Sequence, residues 1–178
     1  MRQRISRAAA AALLALATGS AGGCGYSLVG GGSGAPALGR VAVHMLENGS
    51  GHAGIERVVA DALRREVLRR AGAALVEDDA NADWVVSGRV LPLSVTPASL
   101  SPVVLTLEYQ LSLSLDLHAR ARDGREVKVD ARELRESERF LSSGDAEAQR
   151  KNRDEALHRV SRVLAARFLD RLDEVTGG

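Results

Sequence analysis

The chain has 178 residues, 45% hydrophobic and 26% charged, enough for one ordinary globular core. Aromatic residues make up only 3%, which leaves few rings to stack nucleobases. The formal net charge is +1, yet Arg2, Arg4 and Arg7 stand in an N-terminal segment without acids; taking those three from 24 basic residues leaves 21 against 23 acidic ones, near −2, and a domain without a general cationic field excludes nucleic acid as the expected partner.

Residues 1–23 carry the parts of a secretory signal in order: arginines, the apolar run Ala8–Ala17, then Ser20, Ala21, Gly22 and Gly23. The run is short of the roughly 20 apolar residues that a spanning helix needs. Cys24, the single cysteine, follows the small residues, and this arrangement resembles a bacterial lipobox, although Ala21 stands where such boxes usually carry Leu. The resemblance implies that Cys24 is acylated and begins the mature chain. The plainer alternative is a secreted protein with a free thiol. A lone cysteine has no internal disulfide partner, which favours the acylated role. Gly25 stands where an inner-membrane retention signal has Asp, which implies the outer membrane, with the domain on its periplasmic side. Residues 24–39, with Gly30-Gly31-Gly32 and Pro36, read as an acylated start and glycine-rich tether, and residues 40–178 as a single domain.

Arg40–Leu46 is expected to be the first strand. Ile55, Val58, Val59, Ala62, Leu63 and Val67 recur at helical spacing and predict an amphipathic helix over 55–70, with Gly72 as its stop. A second strand region runs over 84–95, interrupted by Pro92 and bounded by Pro97. From Leu105 to Leu117 apolar residues alternate strictly with Thr106, Glu108, Gln110, Ser112, Ser114 and Asp116, which predicts one long strand with a buried and a wet face. Asp123-Gly124 marks a hairpin, Val127 and Val129 the returning strand, and a slip near Arg132-Glu133 a bulge. Ala156, Leu157, Val160, Val163, Leu164, Phe168 and Leu172 form the stripe of a last helix capped by Asp145. The order β-α-β-β-β-α predicts an α+β fold: two helices packed on one face of a four-stranded mixed, mostly antiparallel sheet whose other face stays open.

Gly49-Ser50-Gly51-His52-Ala53-Gly54 matches the dinucleotide-binding spacing G-x-G-x-x-G between a strand and a helix. Glu47 and Asn48 lengthen the turn and place a carboxylate near the intended phosphates, so a nucleotide enzyme is only a remote alternative. His44, His52, His118 and His158 have no metal-ligand spacing, and Ser112 and Ser114 have no triad partners. No cofactor, metal site or catalytic constellation is therefore expected.

Two basic sets remain. Arg120, Arg122, Arg125 and Lys128 crowd the 123–124 turn; Arg150, Lys151, Arg153, Arg159 and Arg162 lie along the last helix. Either set has the chemistry to meet phosphates, set against the alternative of a charged, soluble surface. The open face of Thr106, Glu108, Gln110, Ser112 and Ser114 suits water or the polar interior of a membrane barrel.

Cys24-Gly25-Tyr26-Ser27-Leu28, Val41-Ala42-Val43 running to Leu46-Glu47-Asn48, Gly54-Ile55-Glu56 opening a helix, Ala82-Asp83-Trp84 leading to Gly88, and the Tyr109 strand together resemble the LptE family of lipopolysaccharide-assembly lipoproteins. The resemblance implies the same β-α-β-β-β-α build and no enzyme activity. It also implies a lipid-anchored outer-membrane protein that plugs and helps assemble the LptD barrel and binds lipopolysaccharide in transit. No local motif fixes the lipopolysaccharide contacts; on charge, Arg120, Arg122, Arg125 and Lys128 are the expected ones. The alternative from another class is a lipoprotein that activates or scaffolds a different envelope machine, such as a peptidoglycan synthase or secretion channel.

Overall fold

The computed structural model describes residues 38–100 and 106–177. The expected signal segment, Cys24, nearly all of the expected tether and the expected strand start at Leu105 lie outside the described residues. Strands are β1 (Gly39–Val43), β2 (Glu47–Asn48), β3 (Ala73–Val76), β4 (Trp84–Val90), β5 (Ser94–Leu100), β6 (Thr106–Ala121), β7 (Glu126–Val129) and β8 (Arg135–Leu141); helices are α1 (Ile55–Arg69) and α2 (Ala146–Gly177). The fold is α+β as expected, but among the described residues the sheet has eight strands rather than four.

The difference has local causes. The second strand region divides into β4 and β5 around Leu91–Leu93, where Pro92 has no amide for a ladder. The returning strand divides into β7 and β8 at a turn over 130–134, where the amides of Glu133 and Leu134 both donate to the Asp130 carbonyl. Leu134 is fully buried there, so the expected bulge is a turn that keeps one apolar anchor in the core. β2 and β3 are too short to announce themselves by alternation.

β6 joins the two halves of the sheet. Along one edge it pairs antiparallel with β4 (Trp84 opposite Ala121 to Val90 opposite Leu115) and β5; along the other it pairs with β7 and β8. Beyond β4, β1 and β3 continue the sheet in parallel, with α1 as the crossover between them. Gly88 of β4 makes a close approach possible. Its φ is 151°, and a Cβ there would stand 2.2 Å from the Asp116 carbonyl oxygen.

Both helices contribute to one core. Leu111, Leu113, Leu115 and Leu117 of β6 point into it, with Val41, Val43, Trp84 and Val86 from the neighbouring strands. Ile55, Val59, Leu63 and Val67 arrive from α1, and Val160, Leu164, Phe168, Leu169 and Leu172 from α2. Val163, expected in the α2 stripe, is 45% exposed instead. Asp145 accepts from the Ala148 amide at 2.7 Å, the cap expected of it.

Cross-strand partners share a face, so Glu136 (opposite Leu113) and Glu138 (opposite Leu111) lie on the helix-covered side. Arg167 and Arg159 of α2 meet them, each at 2.7 Å. At the far end Arg70 donates to Asp170 at 2.6 Å and to the Ala166 carbonyl at 3.1 Å, and is also bonded to Asp173. Burial works against the Arg70 charge, but these carboxylates raise its pKa further.

Candidate functional site

The uncovered face of β6 is polar and largely paired with itself. Ser87 Oγ lies 2.9 Å from His118 Nε2, Ser112 Oγ 2.7 Å from Ser137 Oγ, and Arg139 and Arg89 stand 3.7 Å from Glu108 and Asp116. Small hydroxyls stand beside these two ion pairs, and Arg135, exposed and opposite Ser114, adds a cation with no carboxylate within ion-pair distance among the described residues, so the face offers many donors and acceptors and a modest positive charge.

At the hairpin tip the four expected basic residues do different things. Arg122 Nη2 donates to the carbonyl oxygens of Ala82 at 2.9 Å and Ala80 at 3.1 Å, tying the turn to the chain before β4. Arg125 pairs with Asp123 at 2.7 Å and lies 5.6 Å from the centre of the buried Trp84 ring. The Arg125 amide and guanidinium hold the Asp123 carboxyl below its usual range. Lys128 stands 3.6 Å from Glu126, and Arg120, exposed, has no carboxylate within ion-pair distance among the described residues. The β6–β7 register sets Lys128 opposite His118 and Arg120 opposite Glu126, so both extend from the open face. The tip thus joins two scaffold arginines to two cations with freer heads.

Beside it, Asp83 accepts from the Arg40 guanidinium at 3.2 Å and from its main-chain amide at 2.9 Å. These bonds from Arg40, with Arg122 at 3.7 Å, depress the carboxyl below its usual range. A cavity of 360 Å³ among Leu38, Asp83, Trp84, Arg122 and Arg125 opens here.

The glycine loop is organised by Asn48. Its Oδ1 accepts from the Ser50 amide and hydroxyl, and its Nδ2 donates to the His52 carbonyl and to Glu56 at 2.7 Å. Glu56 lies in the first turn of α1 and supplies a carboxylate where a pyrophosphate would need donors. A cavity of 560 Å³ adjoins the loop, lined in part by His52, Arg150, Arg153 and His158. Among the described residues no group of three or more His, Cys, Asp or Glu is placed to hold a metal ion, and no helix is long and apolar enough to cross a membrane.

A third feature escaped the sequence reading. Between the outer sides of α1 and α2 runs a crevice of 510 Å³, floored by Ala62, Val163 and Ala166 and edged by Arg65, Arg69, Arg159 and Arg162. Arg159 and Arg162 belong to the second basic set; Arg65 and Arg69 come from α1. The i, i+4 spacing of Arg65 and Arg69 was visible, but not that their helix would lie beside the other pair.

The family model described as LptE, lipopolysaccharide-assembly, matches residues 38–172. Among solved structures, the chain is similar to lipoprotein B of Nitrosomonas europaea, with 12% identity, a TM-score of 0.50 and coverage of 87% of this chain and 94% of that one. A Xanthomonas campestris protein of the family DUF330 is similar at 15% identity and a TM-score of 0.50, over 83% of this chain and 93% of that one. Rare lipoprotein B of Shewanella oneidensis follows at 15% identity and a TM-score of 0.48, over 76% and 95%. No curated protein matches the sequence. At such identities the first two likenesses speak for the fold alone.

Proposed function

The chain belongs to the LptE family of lipopolysaccharide-assembly proteins, and from that premise we propose that it is a lipid-anchored outer-membrane protein that seats its domain inside an LptD-like barrel and binds lipopolysaccharide on its way to the outer leaflet. Cys24 is the acylated residue, and the glycine-rich stretch after it is the tether between membrane and domain.

The observation that carries the barrel reading is the uncovered face of β6. Its hydroxyls and cross-strand ion pairs match the polar interior of a membrane barrel, which can supply partners to the cations the face leaves unpaired. For lipopolysaccharide, the tip of Arg120, Arg122, Arg125 and Lys128 remains the proposed binding element. Arg120 and Lys128 meet phosphate, while Arg122 and Arg125 hold the turn that presents them.

The test is affinity isolation of the full-length protein from detergent-solubilised outer membrane. A large β-barrel recovered at equal stoichiometry is the expected result. Recovery of a peptidoglycan synthase or a secretion channel in place of that barrel would overturn the proposal.

A further inference from the structure

We propose that the crevice between α1 and α2 is a binding site for a phosphate-bearing amphiphile, with the phosphate held by Arg65 and Arg162 and the apolar part resting on Ala62, Val163 and Ala166. The proposal stands apart from the barrel reading, because it concerns the helical side of the domain rather than the open sheet face.

The charges around the crevice are unequal. Four guanidinium groups face two carboxylates, Glu66 and Glu138. Glu66 is buried and already accepts from Arg69 at 2.5 Å and from Arg70 at 3.3 Å; Glu138 is met by Arg159 at 2.7 Å. Both acids are therefore neutralised by other arginines. Arg65 and Arg162, exposed and on facing helices, have no carboxylate within ion-pair distance among the described residues. Two guanidinium forks at one opening suit the several oxygens of a phosphate ester better than a single carboxylate does.

The floor argues for the amphiphile. Val163 interrupts the buried stripe of α2 and leaves nearly half its surface in water, lining the same crevice as Ala166 and the buried Ala62. A solvated helix face would gain from a polar residue at 163. An apolar one is suited to the hydrocarbon beside a charged head. The 510 Å³ volume admits a phosphate with short stretches of chain, not a whole lipid.

Calorimetric titration of the full-length protein with dihexanoyl phosphatidic acid, kept below its micelle concentration, tests the proposal. Saturable binding at one site is expected, weakened at least about tenfold in Arg65→Glu/Arg162→Glu. The lysine pair Arg65→Lys/Arg162→Lys should retain part of it, and Arg132→Glu, an exposed charge change on the 130–134 turn, should retain all of it. Both altered arginines are exposed, so circular dichroism should show the double variant folded. Dihexanoyl phosphatidylcholine should not bind, and inorganic pyrophosphate should bind more weakly than the acidic lipid. The proposal is overturned by unchanged binding in a folded double variant, by equal binding of phosphatidylcholine, by pyrophosphate binding as tight as the lipid, or by equally tight binding of an acidic peptide.

Discussion

Arg122 and Ala82 are bound side chain to main chain, Nη2 to carbonyl oxygen at 2.9 Å, with the Arg122 Nε 3.2 Å from the same oxygen. A residue of the basic tip is thereby part of the frame. Arg122→Ala should cost about 1 kcal/mol, below the usual worth of bonds from a charged group because the side chain is half exposed. Arg120→Ala should stay within about 0.5 kcal/mol. Urea unfolding of the two variants checks the contrast; equal losses would show that the tip does not divide into scaffold and free charge.

Gly88 is the narrowest point between β4 and β6. Gly88→Ala forces its Cβ against the Asp116 carbonyl and holds a left-handed φ that alanine resists, so a loss of about 2–4 kcal/mol is expected. Thermal unfolding measures it, and a variant as stable as the parent would mean that the two strands separate at little cost.

Acid should weaken the contact between β8 and α2. The Ser137 amide, and then Arg167, hold the Glu136 carboxyl below its usual value of 4.5. A depressed folded value means that the contribution is complete above 4.5 and is lost as the pH falls through the lower folded value. Glu136→Gln should flatten the acid limb of a stability profile and leave its neutral limb parallel to the parent's. An unchanged acid limb would assign the loss to other carboxylates.

Cys24→Ser should release the protein into the soluble fraction of cells that lack the barrel partner, because nothing else in residues 1–39 is proposed to hold it. Sucrose-gradient fractionation reads the outcome, and full retention on membranes would remove the acyl anchor from the proposal.

Period-two patterning made β6 legible because its apolar half is buried without exception from Leu111 to Leu117. Helices α1 and α2 were legible by their apolar stripes at helical spacing, although Val163 of the α2 stripe is exposed. β8 was legible only as the continuation of the returning strand past a bulge, since two of its inward positions are Glu136 and Glu138. Their place on the helix-covered side depends on arginines arriving from α2, a partnership that the strand's own sequence does not contain. β3 is four residues with no alternation, and only its parallel pairing with β1 makes it a strand. The basic tip was legible as a cluster of charges, but the division of labour within it was not, because the acceptors of Arg122 are main-chain oxygens that any sequence would have. The crevice depends on which sides of two helices meet, and that is settled by the whole core.

β6 also bears on the order in which the protein can assemble. Four of its pairings, to β4, β5, β7 and β8, fall within residues 84–141, so the middle of the chain can zip on its own template before either end is engaged. The parallel strands β1 and β3 pair with each other only across the α1 crossover, and β1 joins them to the rest of the sheet through β4. Folding should therefore proceed outward from the centre, and a slow step, where one exists, should belong to the docking of β1, α1 and β3 onto a finished meander.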